Sequence, residues 1–203
     1  AASDVYKRQE KGKNRHIIYE ERLHGKLESD DMQNMAMAYA VSKEKKREVI
    51  TKMITELCVS GVNSIVKKEE RLQQIRSLFD LDGITIYSES GAQLVCRNGN
   101  YMVEVPDGRG LFEDEKYLAL FGDDDNFIES NTLKLRFQDP AAFAVMQKQE
   151  IGASLQCLSR KEGVPNVIVN FDVFNRNRKW SDEDITLLTI LGHCIGNLLN
   201  YSE

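Results

Sequence analysis

The stretch IGASLQCLSRKEGVPNVIVNFDVFNRNRKWSDEDITLLTILGHCIGNLL, Ile151 to Leu199, decides the fold. Two apolar runs, Ala153–Ser159 and Val167–Phe174, flank Lys161-Glu162-Gly163 and Val164-Pro165, which together predict an antiparallel hairpin. The apolar period then changes from two to 3.6. Ser181 is a helix-capping residue, Asp184 three positions later completes an S-x-x-D box, and Trp180 ahead of the cap is placed to staple against Ile185. Ile185, Leu188, Leu191, Ile195, Leu198 and Leu199 fall on one stripe of the helix that follows.

Upstream, the pattern extends in the same sense. Pro140 sits where the first turn of a helix tolerates proline, and Ala141 to Ile151 supplies helix formers. Asn131 to Phe137 alternates in the manner of a strand, while Asn98 to Asn131 carries turn signals and holds at most short elements. Ile84–Ser88 and Gln93–Arg97 around Ser90-Gly91 predict another hairpin. Before it, two helices are expected, over 31–60 and 64–79, broken at Gly61. Helices, then a meandering antiparallel sheet, then a terminal helix define an α+β class rather than alternating βαβ units.

The order and wording of these motifs resemble the GAF domain over residues 46–203. Ile151-Gly152-Ala153-Ser154-Leu155 is similar to that family's G-x-x-S-x-L strand start, Asn166–Phe174 to its next core strand, and Trp180–Leu188 to its F-S-x-x-D-x-x-L-L helix start. The resemblance implies an antiparallel sheet of about six strands with helices packed on one face that often dimerise, and a small-molecule pocket on the other. Its polar wall would come from Arg136, Ser154, Gln156 and Asn170, each of which also reads as an ordinary exposed strand position. Cyclic-nucleotide GAF domains carry N-K followed by F-x-x-x-D-E. Here Asn175-Arg176, Trp180 and Asp184-Ile185 depart from that pattern and lose its final carboxylate, which argues against that ligand.

A second resemblance lies in Glu10-Lys11-Gly12-Lys13-Asn14-Arg15-His16-Ile17-Ile18-Tyr19, which is similar to the tail of a GGDEF diguanylate cyclase domain. Residues 10–24 are therefore expected to close an upstream domain, and 25–45 to form a helical linker to the sensory domain. Residues 1–9, AASDVYKRQ, resemble translated adapter sequence and are set aside as non-native. The cyclase motifs of a GGDEF domain would lie further upstream, so no such chemistry is expected in this chain. The parent implied is a bacterial cyclic-di-GMP signalling protein, with a phosphodiesterase or histidine kinase as the alternative.

Composition narrows the function further. The 203 residues carry a formal net charge of −5, and the basic runs Lys7–Arg15 and Lys43–Arg47 read as a solvated face or linker, so nucleic acid is not expected as a partner. Four cysteines stand singly in or beside apolar runs, as in a reducing, cytoplasmic setting, and no segment has the length of a membrane span. Asp123-Asp124-Asp125 lacks the glycine and glutamate of a calcium loop, with Ile128 and Lys134 at those places. His193-Cys194 falls mid-helix. No nucleophile–base set stands out, so neither catalysis nor a metal, haem or covalent bilin is expected. The expected assembly is a homodimer through the helix at 31–60 and the terminal helix, on the strength of the stripe Val49, Ile50, Met53, Ile54 and Leu57. A purely structural dimerisation module is the rival reading.

Overall fold

Two residues reverse the chain at the centre of the molecule. In a computed structural model, which describes residues 2–3, 18–19, 29–60, 69–97 and 107–200, Glu162 and Gly163 take φ of 53° and 85°. Two successive left-handed residues form the tight turn whose twist matches that of paired strands. The strands it joins, β6 (Ile151–Lys161) and β7 (Val164–Phe174), are 11 residues each, longer at their turn ends than the apolar runs alone indicate. Pro165 is accommodated because it lies beyond the end of β3, whose last pair is Ser88↔Val167.

β3 (Gly83–Ser88), β4 (Gly91–Arg97) and β5 (Asn126–Glu129) complete an antiparallel sheet of order β4-β3-β7-β6-β5 among the described residues. Side chains alternate across it. On one face Ile84, Ile86, Leu155, Cys157, Val169, Phe171 and Val173 are buried in one apolar cluster with residues of α1 (Ser29–Ser60), α2 (Glu69–Leu78) and α6 (Asp182–Asn200). On the other face Tyr87, Leu158, Ile168 and Phe174 cluster with Tyr117 of the short α3 (Glu115–Leu118), Leu135 of α4 (Leu135–Gln138) and Met146 of α5 (Pro140–Lys148). The central hairpin is thus covered on both sides.

The chain divides into two compact units, residues 1–45 and 46–203. In the first, β1 (Ala2–Ser3) pairs antiparallel with β2 (Ile18–Tyr19), so the nonapeptide set aside on sequence grounds contributes a rung of structure. The remainder of the expected GGDEF tail, and the break expected at Gly61, lie outside the described residues. In the second unit, Ile50, Met53 and Leu57 of α1 are 2%, 2% and 0% exposed within the helix-side core. The stripe expected to form a dimer seam is therefore satisfied by the chain's own sheet. No helix among the described residues is long and apolar enough to cross a membrane.

Two local expectations change. Asn131–Phe137 is not a strand: the Asn131 side chain accepts a hydrogen bond from the Leu133 amide and opens a 3-10 turn, Thr132–Lys134, that runs into α4. An Asn able to satisfy backbone donors locally outweighs seven residues of alternation. At the start of α6, Ser181 Oγ accepts from the Asp184 amide at 3.1 Å as the capping box predicts. The Asp184 carboxylate, however, turns to Lys46 Nζ at 2.6 Å and an Arg178 guanidinium nitrogen at 2.9 Å. Charge-assisted bonds win over a neutral backbone donor. Burial opposes the charge on Asp184, but these two cations hold its carboxyl below the usual range.

α6 lies unusually close to β6. A methyl group on Gly192 would stand 2.5 Å from Cys157 Sγ, and one on Gly196 would stand 2.2 Å from Ser159 Oγ. Gly192→Ala should therefore destabilise the fold by about 1–3 kcal/mol through overpacking, read as a lowered urea midpoint at unchanged slope. A midpoint equal to that of the parent protein would contradict the close approach.

Candidate functional site

The face of the sheet away from α1 and α6 bears a column of polar groups, placed there by the register. Thr85 of β3 is opposite Asn170 of β7, which is opposite Gln156 of β6, and Asp172 is opposite Ser154 one row along. All five are buried, with exposures of 1%, 6%, 1%, 1% and 0% for Thr85, Asn170, Gln156, Asp172 and Ser154. Burying so many polar groups costs stability unless each finds a partner.

Several do, in one chain of bonds. Tyr117 Oη donates to Gln156 Oε1 at 2.5 Å, Gln156 Nε2 to Ser154 Oγ at 3.1 Å, and Ser154 Oγ to Asp172 Oδ1 at 2.7 Å. Every donor points toward the carboxylate, so the bonds polarise one another in the same sense. Burial raises the Asp172 carboxyl to about 6, against the lowering influence of the Ser154 bond and of Arg97. Burial, followed by the charge of Asp172, likewise pushes the phenols of Tyr87 and Tyr117 upward, keeping both protonated donors. Three atoms remain without partners: Thr85 Oγ1, Asn170 Oδ1 and Asp172 Oδ2.

Over part of this column the sheet does not meet its covering layer. The resulting cavity, about 280 Å³, has a floor of Tyr87, Ile151, Gln156 and Asn170. Ala141, Ala142, Val145 and Met146 of α5 and Gln149 just beyond it form one wall, and Gly108, Gly110, Leu111, Asp114 and Tyr117 the other. Asp139 and Pro140 set the entry of α5, since Asp139 Oδ1 accepts from the amides of Ala141 and Ala142 at 3.1 Å each. Gly108, at φ 81°, lies where a methyl would be 2.2 Å from the Tyr87 ring. Only glycine lets that segment close over the tyrosine.

Of the four residues expected at the pocket, Gln156 and Asn170 line it and Ser154 is the buried link behind them. None of these three is an exposed strand position. Arg136 is exposed on α4 and outside the lining, since its segment is a helical turn rather than a strand. Tyr87, Tyr117 and Asp172 were not singled out by sequence reasoning. The signal for Asp172 was present: the one charged residue in a strand that is apolar apart from Asn166 and Asn170, with no basic residue beside it.

The residues compared above with a nucleotide signature have structural partners. Asn175 donates to Glu150 at 2.8 Å, and Arg176 pairs with Asp80 at 3.1 Å and Asp82 at 3.2 Å. Gly152 is required where this segment crosses β6, since a methyl there would stand 2.3 Å from the Arg176 carbonyl oxygen. The Asp123–Asp125 segment is a turn in which Asp124 bonds Asn126 and Asp125 pairs with Arg160 at 2.9 Å. His193 Nε2 lies 3.0 Å from Asn126 Oδ1. Among the described residues no His, Cys, Asp or Glu group is arranged to hold a metal.

No family model matches the chain, and no curated protein does. Solved structures do. The chromophore-binding domain of the Stigmatella aurantiaca bacteriophytochrome shares 14% identity at a TM-score of 0.58, covering 76% of this chain and 60% of that one. A far-red-absorbing dark state with bound biliverdin IXa gives 14% identity and a TM-score of 0.54, covering 76% and 98%. The free methionine-R-sulfoxide reductase of Neisseria meningitidis in complex with its substrate gives 12% and 0.52, covering 79% and 91%. At such identities the likeness is one of fold. The chain has the α+β GAF fold, which these proteins put to both photoreceptor and enzymatic use.

The raised Asp172 carboxyl generates a prediction. The folded value of about 6 lies above the ordinary 3.8, so the native state binds the proton more tightly and stability falls as pH rises between those values. Above about pH 6 the cost of the buried charge is carried in full. Asp172→Asn should flatten this dependence and raise stability at neutral to alkaline pH by about 1–3 kcal/mol, measured by urea denaturation across pH. A variant with the parent's pH slope would place the titration elsewhere.

Proposed function

We propose that this chain is a non-catalytic sensory module that takes a small ligand in the cavity on the face of its sheet away from α1 and α6. The observation that carries the proposal is the cavity itself, about 280 Å³, whose floor presents the buried side chains of Gln156 and Asn170 beneath a largely apolar wall from α5. A concave, mostly apolar space with a few polar groups at one side is the usual make-up of a small-molecule site. The cavity's polar groups are amides, hydroxyls and carboxylates with no thiol or imidazole among the described lining residues, which supports binding rather than turnover.

The described residues place no thiol where a bilin attached covalently in this cavity would need one. Cys96 and Cys157 lie in the helix-side core, Cys194 is on α6 and Cys58 is exposed on α1, so none borders the cavity. Its volume of about 280 Å³ falls at the lower edge of the ~300–1,000 Å³ that accommodates drug-sized ligands, which favours a small one.

The output would pass through the helices. Gln156 faces the cavity, while the next residue, Cys157, touches Gly192 of α6, and Asp184 of α6 is bonded to Lys46 of α1. We place this module in a longer cyclic-di-GMP signalling protein, a diguanylate cyclase, on the strength of the resemblance of residues 10–19. The assembly proposed is a homodimer through the first half of α1, where Met37, Tyr39 and Val41 are 70%, 65% and 63% exposed. The purely structural module remains the rival, and it lacks a reason for a cavity of about 280 Å³ with amide side chains on its floor.

A fragment screen followed by amide NMR tests the sensory reading: ligands that shift Gln156 and Asn170 should also shift Gly192 and Gly196. If no fragment moves the cavity residues, the rival stands. Sedimentation velocity tests the assembly. The full chain should run as a dimer at tens of micromolar and Met37→Glu with Val41→Glu as a monomer; a monomeric parent would refute the dimer.

A further inference from the structure

α1 and α6 lie side by side in a fixed register. Near the start of α6, Lys46 is bonded to Asp184 and Arg47 to Glu183, each at 2.6 Å. Cys58 stands eleven residues beyond Arg47, and Cys194 stands eleven beyond Glu183. Eleven residues are close to three turns of an α-helix, so each cysteine returns to the face of its helix that carries the ion pair, roughly 16 Å further along. Two helices running in the same direction therefore bring the cysteines level with each other, and the Cys58 and Cys194 thiols do share a hydrogen bond. Between the ion pairs and the thiols, Ile50, Met53 and Leu57 of α1 and Leu188, Leu191 and Ile195 of α6 are buried in one cluster, against which Cys194 packs.

The two thiols differ in access. Cys58 is exposed, whereas Cys194 is half-buried. Burial, and after it the neighbouring Cys58, pushes the Cys194 thiol up, so Cys194 holds its proton the more firmly. A small oxidant arriving from solvent meets Cys58 first and finds Cys194 already in contact behind it, the arrangement of an attacking and a resolving thiol. The remaining cysteines, Cys96 and Cys157, are 2% and 0% exposed in the helix-side core and out of such an oxidant's reach.

We propose that Cys58 and Cys194 are a reversible redox pair whose disulfide, formed by a hydroperoxide, locks α1 to α6. The Cys58 thiolate attacks one oxygen of the peroxide, the O–O bond breaks, and hydroxide leaves to take up the proton that the thiol released, with Cys58 now a sulfenic acid. The Cys194 sulfur then attacks the Cys58 sulfur. The sulfenic oxygen departs as water with the Cys194 proton, and the S–S bond forms. Two thiols lose two electrons and hydrogen peroxide becomes two waters; a dithiol reductant reverses the bond by exchange. The sulfurs are already in contact, so side-chain rotation brings them to the ~2.05 Å of a disulfide. The lock needs nothing from the cavity and forms whether or not a ligand is bound there.

The test uses the full chain, fully reduced and then exposed to hydrogen peroxide in slight excess. Peptide mapping without reductant should find Cys58 joined to Cys194, with Cys96 and Cys157 still free, and dithiothreitol should restore all four thiols. A mixture of nitrogen-15-labelled and unlabelled chains separates a bond within one chain, which is expected, from a bond between two. Cys194→Ser should halt Cys58 at the sulfenic acid, trapped as its dimedone adduct, and Cys58→Ser should leave Cys194 reduced under the same exposure. In the oxidised parent, amide hydrogen exchange over residues 46–60 should slow about tenfold or more, because the cross-link removes the state in which α1 swings away from α6. A mixed-label cross-link, no disulfide at all, or Cys58 carried to the sulfinic acid while Cys194 stays free would each overturn the pairing. Exchange over 46–60 unchanged by oxidation would overturn the lock even with the bond in place.

Discussion

The hairpin of β6 and β7 is buried on both faces, and the rest of the structure follows from that constraint. A strand presents alternate residues to opposite sides, so one set must meet the helices and the other must meet whatever covers the second face. Leu155, Cys157, Val169, Phe171 and Val173 answer the first demand with apolar surface. Ser154, Gln156, Asn170 and Asp172 answer the second with groups that need bonds, and most of those bonds run along the sheet rather than to the covering layer. The layer of α3, α4 and α5 therefore closes on the face without filling it. The cavity exists because polar side chains hold the sheet side of it open.

The same constraint explains where sequence reasoning succeeds and where it stops. The hairpin and the capped terminal helix were legible because their signals are local: Glu162-Gly163 reverses the chain and Ser181 satisfies the Asp184 amide without outside help. Ser154, Gln156 and Asn170 were picked out, but alternation of polar and apolar residues ordinarily means one wet face, and nothing in a strand of sequence reports a second covering layer. The relay to Asp172 depends on a register spanning β6, β7 and α3, which no local window contains. Arg136 was misplaced for a related reason: its alternating neighbours imitate a strand, while the capping by Asn131 that makes them helical is a single hydrogen bond. β5 was hidden by its brevity, four residues following an acidic turn.

Around the helices the organising group is Asp184. Its two oxygens are taken by cations from different parts of the unit, Lys46 on α1 and Arg178 in the segment after β7. Arg178 in turn donates to the carbonyl of Phe79 at the end of α2 and stacks on Trp180, and Lys46 lies 4.9 Å above the Phe79 ring. Removing Asp184 would leave two part-buried cations without their carboxylate, which is how a few polar residues bind three elements whose apolar contacts alone would tolerate sliding. Arg47 and Glu183, bonded at 2.6 Å, extend the clasp toward solvent.

The two glycines of α6 give this contact a mechanical character. Most helices rest on a sheet through side chains several atoms long, and such chains change rotamer to absorb small displacements of the layer beneath. Gly192 and Gly196 set helix backbone directly against Cys157 and Ser159, so the junction has almost no slack. A rigid coupling of this kind transmits tenths of an ångström, like a gear cut without backlash, and it lies one residue away from the cavity-facing Gln156.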